Sequence, residues 1–231
     1  MALEATHIRF AVDLKDLLKI SNMDHYISGT VYPDSRYVTG VDRRLTHQET
    51  LIDPYLVGND FEKGWAVHLI CDDIQWMLLK ESFPEVEATD TGIGTYVPEG
   101  DAGTTQRFDP WCYRTAVKII QDVLDCKEFD VERYLTHLNY VDNPRSEDIV
   151  LVARYNRILS SLYSGPERFL ITSRFMFWND LALTGELLPQ VQFCTEALLR
   201  DQEKMEIISS FYRTMIMRGI NTVSGKLNAS E

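Results

Sequence analysis

Gly64-Trp65-Ala66-Val67-His68-Leu69-Ile70-Cys71-Asp72 is an apolar run in which a histidine and an aspartate stand four residues apart. It sits inside a longer pattern, from about Asp60 to Ser82, where Trp65, His68, Leu69, Asp72, Trp76 and Leu79 recur at helical spacing. The same period runs through most of the 231 residues, and alternation of strand type is nearly absent. The sequence therefore predicts an all-α fold, a multi-helix bundle in one domain over residues 1–231.

Working outward, a first helix is expected over about residues 4 to 20, with His7, Phe10, Ala11, Leu14, Leu17 and Leu18 on one inward face. From Ser21 to about Leu45 the breakers Gly29, Pro33, Asp34, Ser35 and Gly40 predict a long ordered loop, with one helical turn around Asp24 to Ser28. Loops of that length in a compact domain usually have a function. A short helix follows Thr46, and residues 83–108, rich in Gly, Thr and Asp, predict a loop or lid. Helical patterns resume at Pro110 to Cys126, Val131 to His137, Ser146 to Tyr163, Pro166 to Leu183 and Leu188 to Gly219, and a frayed tail is expected over 221–231.

The chain has 23 Lys and Arg against 35 Asp and Glu, a net charge of −12, with 45% hydrophobic and 25% charged residues. That composition can bury a core and excludes disorder and fibre. A pI near 4.9 argues against a long nucleic acid or an anionic bilayer held by bulk charge, while leaving room for a local phosphate pocket. No apolar run reaches the roughly 18 residues of a membrane span, so no transmembrane segment is expected. The start, Met1-Ala2-Leu3-Glu4, lacks the marks of a secretory signal, which makes the cytoplasm the expected location. Cys71, Cys112, Cys126 and Cys194 are widely spaced and read as reduced, mostly buried thiols.

A spacing of four puts His68 and Asp72 on one helical face, with roughly 5 to 6 Å between their Cβ atoms. One metal ion can be held by both; equally, His68 can hydrogen-bond Asp72 across a turn, or Asp72 can pair with an arginine. A second group lies in Gly29-Thr30-Val31-Tyr32-Pro33-Asp34-Ser35-Arg36-Tyr37, where Pro33 biases Tyr32 towards extended geometry and presents Asp34 on a stiff turn. Thr46-His47 closes the same segment. Arg36 is a candidate for binding a phosphate oxygen, because guanidinium forks match phosphate geometry, and is as well suited to pairing with an acidic residue. Arg43 and Arg44 read as solvated, Tyr32 and Tyr37 as pocket lining or packing, His25 as a loop or cap residue. Trp65, Trp76 and the Phe169, Phe175, Phe177 and Trp178 cluster read as core.

A histidine on the first helix, a Gly-x-x-x-Pro-Asp turn, a histidine about a dozen residues later and a helix reading Gly-Trp-x-x-His-x-x-x-Asp together resemble the zinc-dependent phospholipase C and single-strand nuclease superfamily. The resemblance covers roughly residues 7 to 72, about a third of the chain. It implies a helical fold around a zinc cluster that hydrolyses phosphodiesters, with His7, Asp34, His47, His68 and a bridging Asp72 as metal ligands. Secreted members bind one metal through an N-terminal tryptophan and use further histidines and a glutamate downstream. This sequence begins with Met1, and only His137 follows Asp72, so one or two ions are expected rather than three.

Ligand arithmetic gives the same number. Asp34, His47, His68 and Asp72 would supply one ion with four ligands, and His7 with a shared Asp72 would supply a second with two, leaving open positions. Nitrogen and oxygen donors suit zinc, manganese or iron. The expected activity is a metal-dependent phosphohydrolase of the phosphodiesterase type, with Asp34, Asp72 and Arg36 nearest the chemistry, a metal-activated water as nucleophile and a small or lipid-like phosphoester as substrate. An HD-type metal phosphohydrolase is an alternative, although the His-Asp dipeptide of that family is missing. A helical interaction protein with a structural or vestigial metal site is another.

Overall fold

The computed structural model describes residues 3–84, 94–95, 107–139, 149–181, 185 and 187–229. Its regular elements are helical apart from one antiparallel pairing of Gly94–Thr95 with Arg107–Phe108. The all-α expectation holds at that level. Most of the segment 83–108, read as a loop or lid, lies outside the described residues.

Helix α1 spans Glu4–Leu14 and is shorter than the periodicity predicts. Turns carry the chain on through Leu17 and Leu18 until Lys19 adopts a left-handed φ of 53°. The first turn of α1 is clamped onto α7 (Pro110–Glu128): Ala5 N donates to Asp122 Oδ1 at 2.9 Å, and Thr6 Oγ1 donates to Asp125 Oδ2 at 2.6 Å. Buried Arg174 neutralises Asp122 at 2.9 Å. A negative group at a helix N-terminus both accepts an unsatisfied N–H and complements the helix dipole.

Residues 21–45 correct the predicted loop. They fold as α2 (Met23–Val31), a 3-10 turn (Tyr32–Ser35), α3 (Arg36–Thr39) and α4 (Arg43–Thr46). The Asn22 side chain caps α2 by accepting from Asp24 N and His25 N. Pro33 sits at the start of the 3-10 turn, a position that needs no N–H, and Tyr32 is helical (φ −57°, ψ −43°) rather than extended.

Gly29 is no breaker either. Helix α6 (Asp60–Ser82) starts at an Asn59/Glu62 capping box, and α2 lies along it. At their crossing a Cβ on Gly29 would stand 2.0 Å from the Phe61 carbonyl oxygen, and one on Gly64 would stand 2.1 Å from the Tyr26 carbonyl oxygen. Two glycines thus let the backbones of α2 and α6 touch.

The short α5 (Ile52–Leu56) packs on α6. A 3-10 segment (Val131–Asn139), α8 (Ile149–Tyr163), α9 (Ile171–Leu181), α10 (Leu187–Arg200) and α11 (Gln202–Ala229) complete the bundle. The predicted single helix from Leu188 breaks at Asp201, whose side chain accepts from Lys204 N and starts α11. The predicted frayed tail is helical to Ala229, because Met215, Gly219 and Val223 continue the buried stripe. Among the described residues no helix is long and apolar enough to cross a membrane. All four cysteines are buried and unpaired.

Candidate metal centre

Helix α1 brings His7, the 3-10 turn brings Asp34, the segment after α4 brings His47, and α6 brings His68 and Asp72, one turn apart, into two clusters that share His68: His7, His68 and Asp72 in one, Asp34, His47 and His68 in the other. His47 Nε2 lies 3.4 Å from Asp34 Oδ1, 3.4 Å from His68 Nε2 and 3.7 Å from Asp72 Oδ2. His68 Nε2 lies 3.8 Å from the same Asp72 oxygen. Direct N–H···O bonds are about 2.7 to 3.2 Å long, so these separations exceed ordinary hydrogen bonds. Two donors each about 2.0 to 2.1 Å from one tetrahedral ion stand roughly 3.3 to 3.4 Å apart, which the two 3.4 Å separations match and the two to Asp72 exceed by a few tenths of an ångström.

The protons point the same way. His68 Nδ1 is 2.8 Å from Thr30 O, a carbonyl that can only accept, so Nδ1 carries the proton and Nε2 presents a lone pair. His47 Nδ1 is 2.8 Å from Thr46 Oγ1, whose own proton is directed at Arg43 O. That arrangement lets His47 donate from Nδ1 to Thr46 and turn Nε2 to the cluster. A cation between the two Nε2 atoms would take both as ligands.

His7 extends the cluster. Its Nε2 faces the other Asp72 oxygen, Oδ1, at 3.5 Å, and its ring stacks on His68 with centroids 3.8 Å apart. Neither His7 nitrogen has a hydrogen-bond partner among the described residues, although the side chain is fully buried, and Asp34 Oδ1 shares that condition. Buried polar atoms without partners are costly, and a metal is one of the few groups that satisfies several at once. Burial, reinforced by His68, pushes the His7 imidazole well below its ordinary range. Burial also takes His68 down to about 4, against the pull of Asp72 and Asp34. Both rings are neutral at pH 7, as metal ligands must be.

Supporting contacts fix these groups. The Trp65 indole donates to Thr46 O at 2.7 Å, which pins the segment carrying His47 to α6. The contact of α2 with α6 sets Thr30 O against His68. Arg36 takes a supporting position: its Nε is 3.8 Å from Asp34 Oδ1 and its Nη2 donates to Tyr37 Oη at 2.7 Å. His137 lies elsewhere, 2.6 Å from Asp24, and His25 belongs to the first turn of α2.

A cavity of about 450 Å³ opens on His47 and Asp72. Trp76, read as core, is 37% exposed and lines it, whereas Trp65 is buried as expected. Lys118 and Arg114 of α7 also line it and carry no signature in the sequence. Glu4 is a further omission. It is buried one turn before His7, accepts from Tyr155 Oη, and has no donor for its second oxygen among the described residues. Burial and then the Asp34 charge push its carboxyl well above the ordinary range. Its place three residues before His7, on the apolar face of α1, was the available signal. Comparison of the chain with protein-family models, with curated proteins and with solved structures finds no match.

Proposed function

We propose that the protein is a metal-dependent phosphohydrolase of the phosphodiesterase type. The observation that carries this reading is the approach of His47 Nε2 to Asp34 Oδ1 and His68 Nε2 at 3.4 Å and to Asp72 Oδ2 at 3.7 Å, with Asp72 Oδ1 left over to face His7. Asp34, His47, His68 and Asp72 would hold one divalent ion, and His7 with Asp72 would share a second; zinc is the first choice by donor type. When bound, such ions lower the pKa of water and take up charge on phosphoryl oxygens. The chain's own contribution is orientation. Thr30 O and Thr46 Oγ1 fix the imidazole tautomers. Lys118, on the cavity wall with its charge felt by Asp72, is placed to bind a non-bridging phosphoryl oxygen. Arg36 steadies Asp34.

Turnover of bis(4-nitrophenyl) phosphate tests the reading. Hydrolysis should stop on chelation, return with added divalent metal, and fall by at least about 100-fold in His68→Ala and Asp72→Ala. Metal held by those same residues, with no turnover of any phosphoester, would instead favour an interaction protein with a structural site.

A further inference from the structure

The cavity beside the metal centre has walls of defined chemistry. Helix α6 presents Leu69, Asp72, Asp73 and Trp76, and helix α7 presents Trp111, Arg114, Thr115 and Lys118. Each set follows the spacing of one helical face. The Arg114 guanidinium lies 4.6 Å over the Trp76 ring, and Lys118 is felt by Asp72. The two helices therefore pass the cavity in opposite directions, with Asp72 level with Lys118 and Trp76 level with Arg114. Four residues of helix separate the two levels by about 6 Å.

The second level is aromatic and cationic. Trp178 of α9 closes it; the residue is 3% exposed, and its indole N–H has no acceptor among the described residues. Arg114 is part-buried, stacked on Trp76 and under the electrostatic pull of Asp109. Three planar rings, a guanidinium and an unused N–H donor suit a flat ligand with anionic or acceptor oxygens. An acyl chain would offer the arginine no acceptor and leave the N–H unsatisfied.

Resting on the phosphohydrolase reading, we propose that the cavity takes a small aromatic phosphoester. Its phosphoryl group lies at the Asp72–Lys118 level, its ring against Trp76, Trp111 and Trp178, and an anionic ring substituent against Arg114. Three of the four tryptophans line this cavity, so intrinsic fluorescence reports its occupancy.

Three non-hydrolysable probes separate the contributions when titrated into metal-loaded protein: hexylphosphonate, phenylphosphonate and 4-carboxyphenylphosphonate. Phenylphosphonate should bind at least about tenfold more tightly than hexylphosphonate, as expected for ring stacking, and the carboxylated probe more tightly still. Trp76→Leu should abolish the phenyl advantage, and Arg114→Gln should abolish the carboxyl advantage alone. Equal binding of hexyl and phenyl probes, a phenyl advantage that survives Trp76→Leu, or no binding of any probe would overturn the proposal. All three probes share the phosphonate, so failure of the metal centre weakens them together, whereas failure of the aromatic level makes them equal.

Discussion

Thr30 O and Thr46 Oγ1 stand behind the two imidazoles that the proposed metal would use as ligands. A ring whose Nδ1 proton is engaged has only Nε2 to offer, and both Nε2 atoms turn inward. Thr46→Val removes the acceptor for His47 while keeping the buried volume, and metal affinity should fall by about tenfold or more in chelator competition with helical content unchanged. Titration gives a second check. Burial keeps His68 neutral down to about pH 4 in the metal-free chain, whereas an unfolded histidine titrates near 6.5. Between those values the unfolded state binds the extra proton, so His68 costs stability as pH falls from about 6.5 to about 4. Asp125, raised to about 7 chiefly by burial, works in the opposite direction over much of this window. The informative quantity is therefore a difference. Urea unfolding of metal-free wild type should lose about 2 kcal/mol relative to His68→Gln between pH 7 and pH 5. The five candidate ligands were legible because histidine and aspartate at turn and helix spacing are conspicuous in an apolar setting. Glu4 was not, because a single glutamate near a helix start looks like a solvated first-turn residue.

The site depends on how α2 crosses α6. A glycine in a helix usually weakens it, and reading Gly29 together with Pro33 and Gly40 as breakers gives a loop where the chain is helical from Met23 to Thr39. Gly29 and Gly64 instead remove the Cβ atoms that would keep the two backbones apart. That purpose is invisible until the partner helix is in place. Helix α6 itself was legible to its ends from its strong period, and the structure adds an Asn59/Glu62 capping box at its start. Gly64→Ala must push Tyr26 O and the following turn away from α6 and separate Thr30 O from His68. We expect a loss of about 2 kcal/mol or more, read by thermal unfolding, together with weaker metal retention. The end of the chain shows the converse. Its small and polar residues resemble a frayed tail, but Gly219 packs beneath Phe10 and Val223 is fully buried.

At the scale of the molecule, a net charge of −12 coexists with a cavity where Arg43, Arg114 and Lys118 stand among Glu49, Asp72 and Asp73. Bulk charge and local field are separate quantities, so an acidic chain can admit a small anion and still repel a polymer. The sequence reveals the acidic balance and the helical class. The wall of the cavity is hidden from it, because Trp76, Arg114 and Trp178 acquire meaning only when three helices are brought together. The clamp of α1 on α7 is equally non-local: Asp122 and Asp125 lie more than a hundred residues from the Ala5 and Thr6 they hold. These long-range contacts hold α1 so that His7 stands beside Asp72, where the proposed cation would be bound. Elemental analysis of the protein after dialysis without added metal tests this most directly. The account predicts at least one divalent ion per wild-type chain and a stoichiometry near zero in His68→Ala and Asp72→Ala; no metal in the wild type, or the same amount in the variants, would contradict it.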